Sequence, residues 1–127
     1  MLKKEIVSTD IAPSAIGPYS QAVICNGLMY LSGQIPLDPG TGDIVKGNIA
    51  EQTKRVLENI KAILEEKKLD FNAIIKTTVF ITNLDDFVTV NHIYGEYFKE
   101  NYPARSCVEV SKLPKGVNIE IESIAIL

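Results

Sequence analysis

The chain has no tryptophan, one histidine and two cysteines. A single histidine cannot found a His-rich metal cluster, and no Ser-His-Asp set is visible around it. Cys25 and Cys107 form no CxxC or zinc spacing. No apolar run approaches the roughly 18 residues of a membrane-spanning helix. Behind Lys3 and Lys4 there is no apolar stretch of the export-signal kind, so reduced thiols and a cytoplasmic location are expected. A Gly-rich phosphate loop is also missing. Thirteen Lys and Arg against sixteen Asp and Glu give a net charge of -3. The basic residues are scattered, the longest runs being pairs, which argues against nucleic acid as a partner.

What is present fits one domain over residues 1–127, with no internal repeat, low-complexity tract or linker. Residues 3–7 read as a first strand, and 8–18, with Pro13, Gly17 and Pro18, as a loop. Residues 20–25 and 28–33 read as strands around Asn26-Gly27, a strong signal for a tight hairpin turn. A second loop spans 36–47. Asn48 with Glu51 makes a capping box, and a helix to about Lys68 follows with Ile49, Val56, Ile60, Ile63 and Leu64 on one face. Residues 73–82 read as a strand. Asn83 caps a second helix on which Leu84, Phe87, Asn91, Tyr94 and Phe98 form a stripe, with Asn91 as its polar interruption. Strands at about 105–111 and 118–126 complete a βββαβαββ order, an α+β layout with two helices on one face of a mixed sheet.

Two helices cover only one sheet face. Strand 73–82 reads as apolar on both sides, with Ile75, Val79 and Ile81 on one and Ile74 and Phe80 on the other. A face of that size is not expected to stay in water, so burial against other subunits is expected.

The densest chemistry lies near the C-terminus. Pro103-Ala104-Arg105-Ser106-Cys107-Val108-Glu109-Val110 leads through Lys112–Val117 to Asn118-Ile119-Glu120-Ile121-Glu122. Alternation puts Arg105, Cys107 and Glu109 on one face, and likewise Glu120 with Glu122. If the two segments pair as a hairpin symmetric about 112–117, Arg105 and Cys107 share a face with Glu120 and Glu122. The residues then leave two readings open. One is a structural ion pair from Arg105 to Glu120 or Glu122. The other is a site where the planar fork of Arg105 holds a substrate carboxylate and a nearby carboxylate handles water. Nothing ties His92 to Cys107, so Cys107 reads as a small packed thiol rather than a nucleophile, and His92 as a surface residue. Tyr19 in Gly17–Gln21 and Gly33 in Ser32–Pro36 are turn residues or polar contacts of a pocket.

These segments, with Gln52-Thr53, Lys76–Phe80, Asp86-Phe87 and Leu113-Pro114, resemble in order and spacing the RidA/YjgF/YER057c/UK114 family, and in Arg105 and Glu120 its archetypal RidA branch. The resemblance covers nearly the whole chain. It implies a chorismate-mutase-like fold, a homotrimer whose sheets form a barrel, and clefts between subunits. The implied activity is a cofactor-independent deaminase that hydrolyses enamine or imine intermediates such as 2-aminoacrylate to 2-oxo acids and ammonia, with no metal. It further implies that Arg105 binds the substrate carboxylate and Glu120 positions water and moves a proton. Tyr19, Ser32, Gly33, Asn91 and Cys107 would line the pocket. The link Lys99–Tyr102 is shorter than in some members, and Ser20 stands where others carry different residues. Two rival readings are an endoribonuclease or translation initiation inhibitor, and a non-enzymatic carboxylate-binding or chaperone-like trimer. One histidine and an acidic balance argue against the ribonuclease.

Overall fold

The computed structural model describes residues 3–127. Its strands are β1 (Glu5–Val7), β2 (Ala22–Cys25), β3 (Leu28–Gln34), β4 (Ile74–Ile81), β5 (Ala104–Glu109) and β6 (Ile119–Ile126). Helix α1 (Ile49–Glu65) precedes β4 and helix α2 (Phe87–Tyr97) follows it. This is the expected βββαβαββ order.

Local chemistry sets the element ends. Asn26 and Gly27 both take left-handed backbone, φ 51° and 77°, and close the β2–β3 hairpin. The Asn48 side chain accepts from the Glu51 amide and starts α1. That helix stops at Glu65, short of the expected Lys68, where the chain turns left-handed at φ 57°. Asn83 caps a short 3-10 turn at Leu84–Asp86 rather than the long helix itself, which begins at Phe87.

The six strands form one mixed sheet in the order β1-β2-β3-β6-β4-β5. Only β4 and β5 are parallel, joined by the α2 crossover. Both helices lie on one face. Met29, Leu31, Val79, Ile81, Ile119, Ile121 and Ala125 from that face pack with Val56, Ile60, Ile63, Val90 and Ile93 in a single buried core.

The order corrects the hairpin expectation. β5 and β6 are not partners, because β4 lies between them and pairs with both. The short return through α2 places β5 beside β4, and residues 110–118 then carry the chain past β4 to its other edge. Ile74 is a second correction. A bulge between Ile74 and Lys76 puts Ile74 on the helix-covered side with Val79 and Ile81, leaving Ile75 exposed. The other sheet face therefore mixes Tyr30, Phe80, Val108 and Ile126 with Lys76, Thr78, Glu120 and Glu122. Tyr30, Val108 and Ile126 are all more than 40 % exposed in the single chain.

Candidate active site

The register of the sheet decides which side chains can meet. Arg105 lies opposite Thr77, which lies opposite Ser123. Cys107 lines up with Val79 and Ile121 in the same way, on the helix-covered face. Val108, Phe80 and Glu120 form the alternate row, as do Ser106, Thr78 and Glu122. Paired residues project to the same side and neighbours along a strand to opposite sides. Arg105 and Glu120 of one chain therefore point to opposite faces of the sheet. The expectation that they share a face was wrong, because it assumed the hairpin. Of the two readings left open, the ion pair from Arg105 to Glu120 or Glu122 is not formed; the ion pair found among the described residues joins Lys67 to Glu5.

Each face carries a cleft. On the helix side a cleft of about 460 Å³ is lined by Asn91, Tyr94, Gly95, Phe98, Tyr102, Pro103 and Arg105. Nη1 of Arg105 donates to Oδ1 of Asn91 at 2.8 Å. The guanidinium carbon sits 4.8 Å from the centre of the Tyr94 ring and 5.4 Å from that of Phe87. Burial holds the Tyr94 hydroxyl above its ordinary value, against the opposing pull of its bond to Thr77 and of the Arg105 charge. Cys107 is half-buried, and burial likewise pushes its thiol up, outweighing the downward pull of Arg105. A thiol so shifted is less readily a thiolate. Tyr102 and Pro103 carry the short link after α2 into the rim of this cleft.

On the opposite side a cleft of about 660 Å³ brings together Tyr19, Ser32, Gly33 and Glu120. Its wall is apolar, from Ile16, Ile35, Leu37 and Pro114, and Glu122 and Lys115 stand at its edge. The glycine at 33 is what lets Glu120 enter. A Cβ there would lie 1.9 Å from Oε2 of Glu120 and 2.8 Å from its Cδ, so the carboxylate rests where a side chain would be. Ser32 is tied down twice, its hydroxyl donating to the Ser20 carbonyl at 2.5 Å and its amide to the Gln21 carbonyl at 2.9 Å. The buried Gln21 side chain accepts from the Thr9 amide and donates to the carbonyls of Thr9, Ala12 and Pro13, fastening the loop that presents Tyr19. Partial burial, and secondarily the charge of Glu122, raise the Glu120 carboxyl above the usual carboxylate range.

Of the expected site residues, Tyr19, Ser32, Gly33 and Glu120 thus gather on one face. Arg105 and Asn91 gather on the other, and Cys107 shares the face of Arg105. His92 is exposed on α2 and lines neither cleft. The sequence reading missed Phe87 and Tyr94 as supports of Arg105. The signal was available: both share the helical stripe with Asn91. Among the described residues no group of three or more His, Cys, Asp or Glu could hold a metal ion. No helix of the described chain is long and apolar enough to cross a membrane.

Residues 9–127 match the family model described as endoribonuclease L-PSP. The chain is 56 % identical over 124 residues to a RutC family protein of Pyrococcus abyssi, covering 98 % of each. It is 50 % identical over 125 residues to the 2-iminobutanoate/2-iminopropanoate deaminase of Homo sapiens, covering 98 % of this chain and 91 % of that one. A crystal structure of a Rid family protein of unknown function from Yersinia pestis superposes with a TM-score of 0.96 at 53 % identity, covering 98 % of this chain and all of that one.

Proposed function

The chain belongs to the endoribonuclease L-PSP family, that is, the RidA/YjgF family, and on that premise we propose that it hydrolyses 2-imino acids, formed from enamines such as 2-aminoacrylate, to 2-oxo acids and ammonia. The site is assembled between subunits, one supplying Arg105, Asn91 and Cys107 and the next supplying Tyr19, Ser32, Gly33 and Glu120. The observation that carries this reading is the division of Arg105 and Glu120 between opposite faces of one sheet. Neither half is a complete site in a single chain. The uncovered face that holds Glu120 also exposes Tyr30, Val108 and Ile126, which a neighbouring subunit would cover. A homotrimer closes such a contact into a ring.

The chemistry asks little of the protein. Arg105 holds the substrate carboxylate through its free donors. The imine carbon is already electrophilic. Glu120 accepts a proton as water adds to that carbon, forming the C–O bond, and returns it to nitrogen. From the resulting carbinolamine Glu120 takes the hydroxyl proton and passes it to the amino group as the C–N bond breaks, so ammonia leaves and the carbonyl of the 2-oxo acid forms. An acid held above the usual carboxylate range is suited to carrying that proton. Orientation and a proton relay used in both steps suffice, general acid–base help of this kind being worth about 10²–10⁴-fold. Ribonuclease chemistry is less well supported, because neither cleft contains a histidine.

Mixing two inactive variants tests both the activity and the split site. Arg105→Ala and Glu120→Gln should each abolish release of 2-oxo acid from enzymatically generated 2-aminoacrylate. Unfolded together at equal amounts and refolded, they should regain about a quarter of wild-type activity per site, since that fraction of contacts in a closed ring joins an intact Arg105 to an intact Glu120. No recovery in mixed oligomers would place both residues in one subunit's site, and full activity of either variant alone would remove that residue from the mechanism.

A further inference from the structure

A carboxylate clamp works only if its fork is held in one plane, and a long arginine side chain that is exposed on an edge strand has little reason to stay still. Arg105 is exposed and β5 is the edge of the sheet. Three groups hold its guanidinium. Asn91 takes one edge at 2.8 Å, and the rings of Phe87 and Tyr94 lie against the charge. These two rings are not equivalent. Phe87 is only partly buried, whereas Tyr94 is anchored on two sides. Its hydroxyl is 2.8 Å from Oγ1 of Thr77, a fully buried residue that is also the cross-strand neighbour of Arg105. Its ring stacks on Phe98 at 4.2 Å between centres with 22° between planes.

Resting on the reading of Arg105 as the carboxylate clamp, we propose that Tyr94 is a positioning residue for Arg105, with Thr77 fixing the ring through its hydroxyl. The β4–β5 pairing sets Thr77 beside Arg105, and α2 sets Tyr94 over both. The ring's orientation is thereby transferred from the core to the fork. A guanidinium ordered before the ligand arrives loses less freedom on binding. The alternative is that Tyr94 is a core aromatic that happens to lie near an arginine.

The two are separated by a pair of ligands that differ only in the carboxylate. Binding of 2-oxobutanoate is compared with binding of 2-oxobutanamide by titration calorimetry, for the assembled protein. Arg105→Ala should weaken the acid far more than the amide; if it weakens both alike, the clamp reading fails first. Given that contrast, Tyr94→Leu should weaken the acid by about tenfold and leave the amide within about twofold. Tyr94→Phe, which keeps the ring, should restore acid binding to within about threefold of wild type. Equal weakening of acid and amide by Tyr94→Leu, or no weakening of either, overturns the proposal while leaving the clamp intact. Should Tyr94→Leu fail to fold, Thr77→Val serves instead. It nearly preserves shape and sits away from the ligand, so a loss of a few-fold in acid affinity alone supports the proposal, and an unselective loss or none overturns it.

Discussion

Gly33→Ala places a methyl group where the Glu120 carboxylate rests. The new Cβ would lie 1.9 Å from Oε2, 2.8 Å from Cδ and 3.1 Å from Cγ. Ordinary contact begins near 3.4 Å, so the carboxylate oxygen must withdraw by at least about 1.5 Å. The backbone has no objection, since Gly33 is not among the residues with positive φ. The group that must move is the far end of a flexible side chain bordering an open cleft, so the fold should hardly notice. Stability should stay within about 1 kcal/mol of wild type, with the reduced freedom of the unfolded chain partly offsetting the displacement. Catalysis should notice, because a misplacement of about 1 Å can cost about 10²-fold. The measurement is kcat/KM for release of 2-oxobutanoate from a generated imine, beside thermal unfolding on the same sample. A drop of about a hundredfold with an unchanged melting temperature is expected. The double variant with Glu120→Gln should be no worse than Glu120→Gln alone, since both changes remove one carboxylate from one place. Wild-type turnover in Gly33→Ala would refute the argument that Glu120 acts from its seat over β3.

Two further outcomes follow from groups at odds with their surroundings. The Glu120 carboxyl is raised by burial and by Glu122, so its ionised form is disfavoured in the folded chain, and stability is lost as pH rises from the ordinary carboxylate range through the folded value. Glu120→Gln should therefore melt higher than wild type near neutral pH, by no more than about 1 kcal/mol for a group that keeps contact with water. The difference should vanish below the ordinary carboxylate range; a variant less stable at neutral pH contradicts the direction of the shift. Ser123 Oγ is buried in the core without a hydrogen-bond partner, and an unpartnered buried hydroxyl costs about 1–3 kcal/mol. Ser123→Ala should raise the melting temperature by about 4 °C in calorimetry; a fall would show that the hydroxyl contributes to the core.

Local signals in the sequence were read well because they are local. Asn26-Gly27 closes its hairpin and Asn48 caps its helix through contacts within four residues. The alternation that groups Arg105 with Cys107 and Glu120 with Glu122 needs only the two-residue period of a strand. What failed was pairing at a distance. Adjacent segments usually pair, but here the apolar strand Ile74–Ile81 lies between β5 and β6, and nothing within residues 103–122 records it. The face assignment of Ile74 failed for a related reason, since one bulge residue reverses the alternation on either side of it. In the candidate site, the identities of Arg105, Asn91 and Glu120 were legible, and the stripe Phe87, Asn91, Tyr94 already pointed at the surface on which Arg105 lies. Their division between two faces was not, because it depends on the strand order.

That division has a chemical consequence. Had β5 and β6 formed the expected hairpin, Arg105 and Glu120 would sit on one face within reach of each other. A guanidinium beside Glu120 would pull its carboxyl down and make it a weaker base. The same contact would occupy the fork meant for a ligand. With β4 between them, Arg105 meets a neutral amide and two rings, and Glu120 meets Gly33, apolar walls and another carboxylate. Each group keeps the property the proposed reaction needs until another subunit and a substrate bring the halves together. In the proposed complex the anion that reaches the fork is then the substrate's carboxylate, leaving Glu120 to handle water.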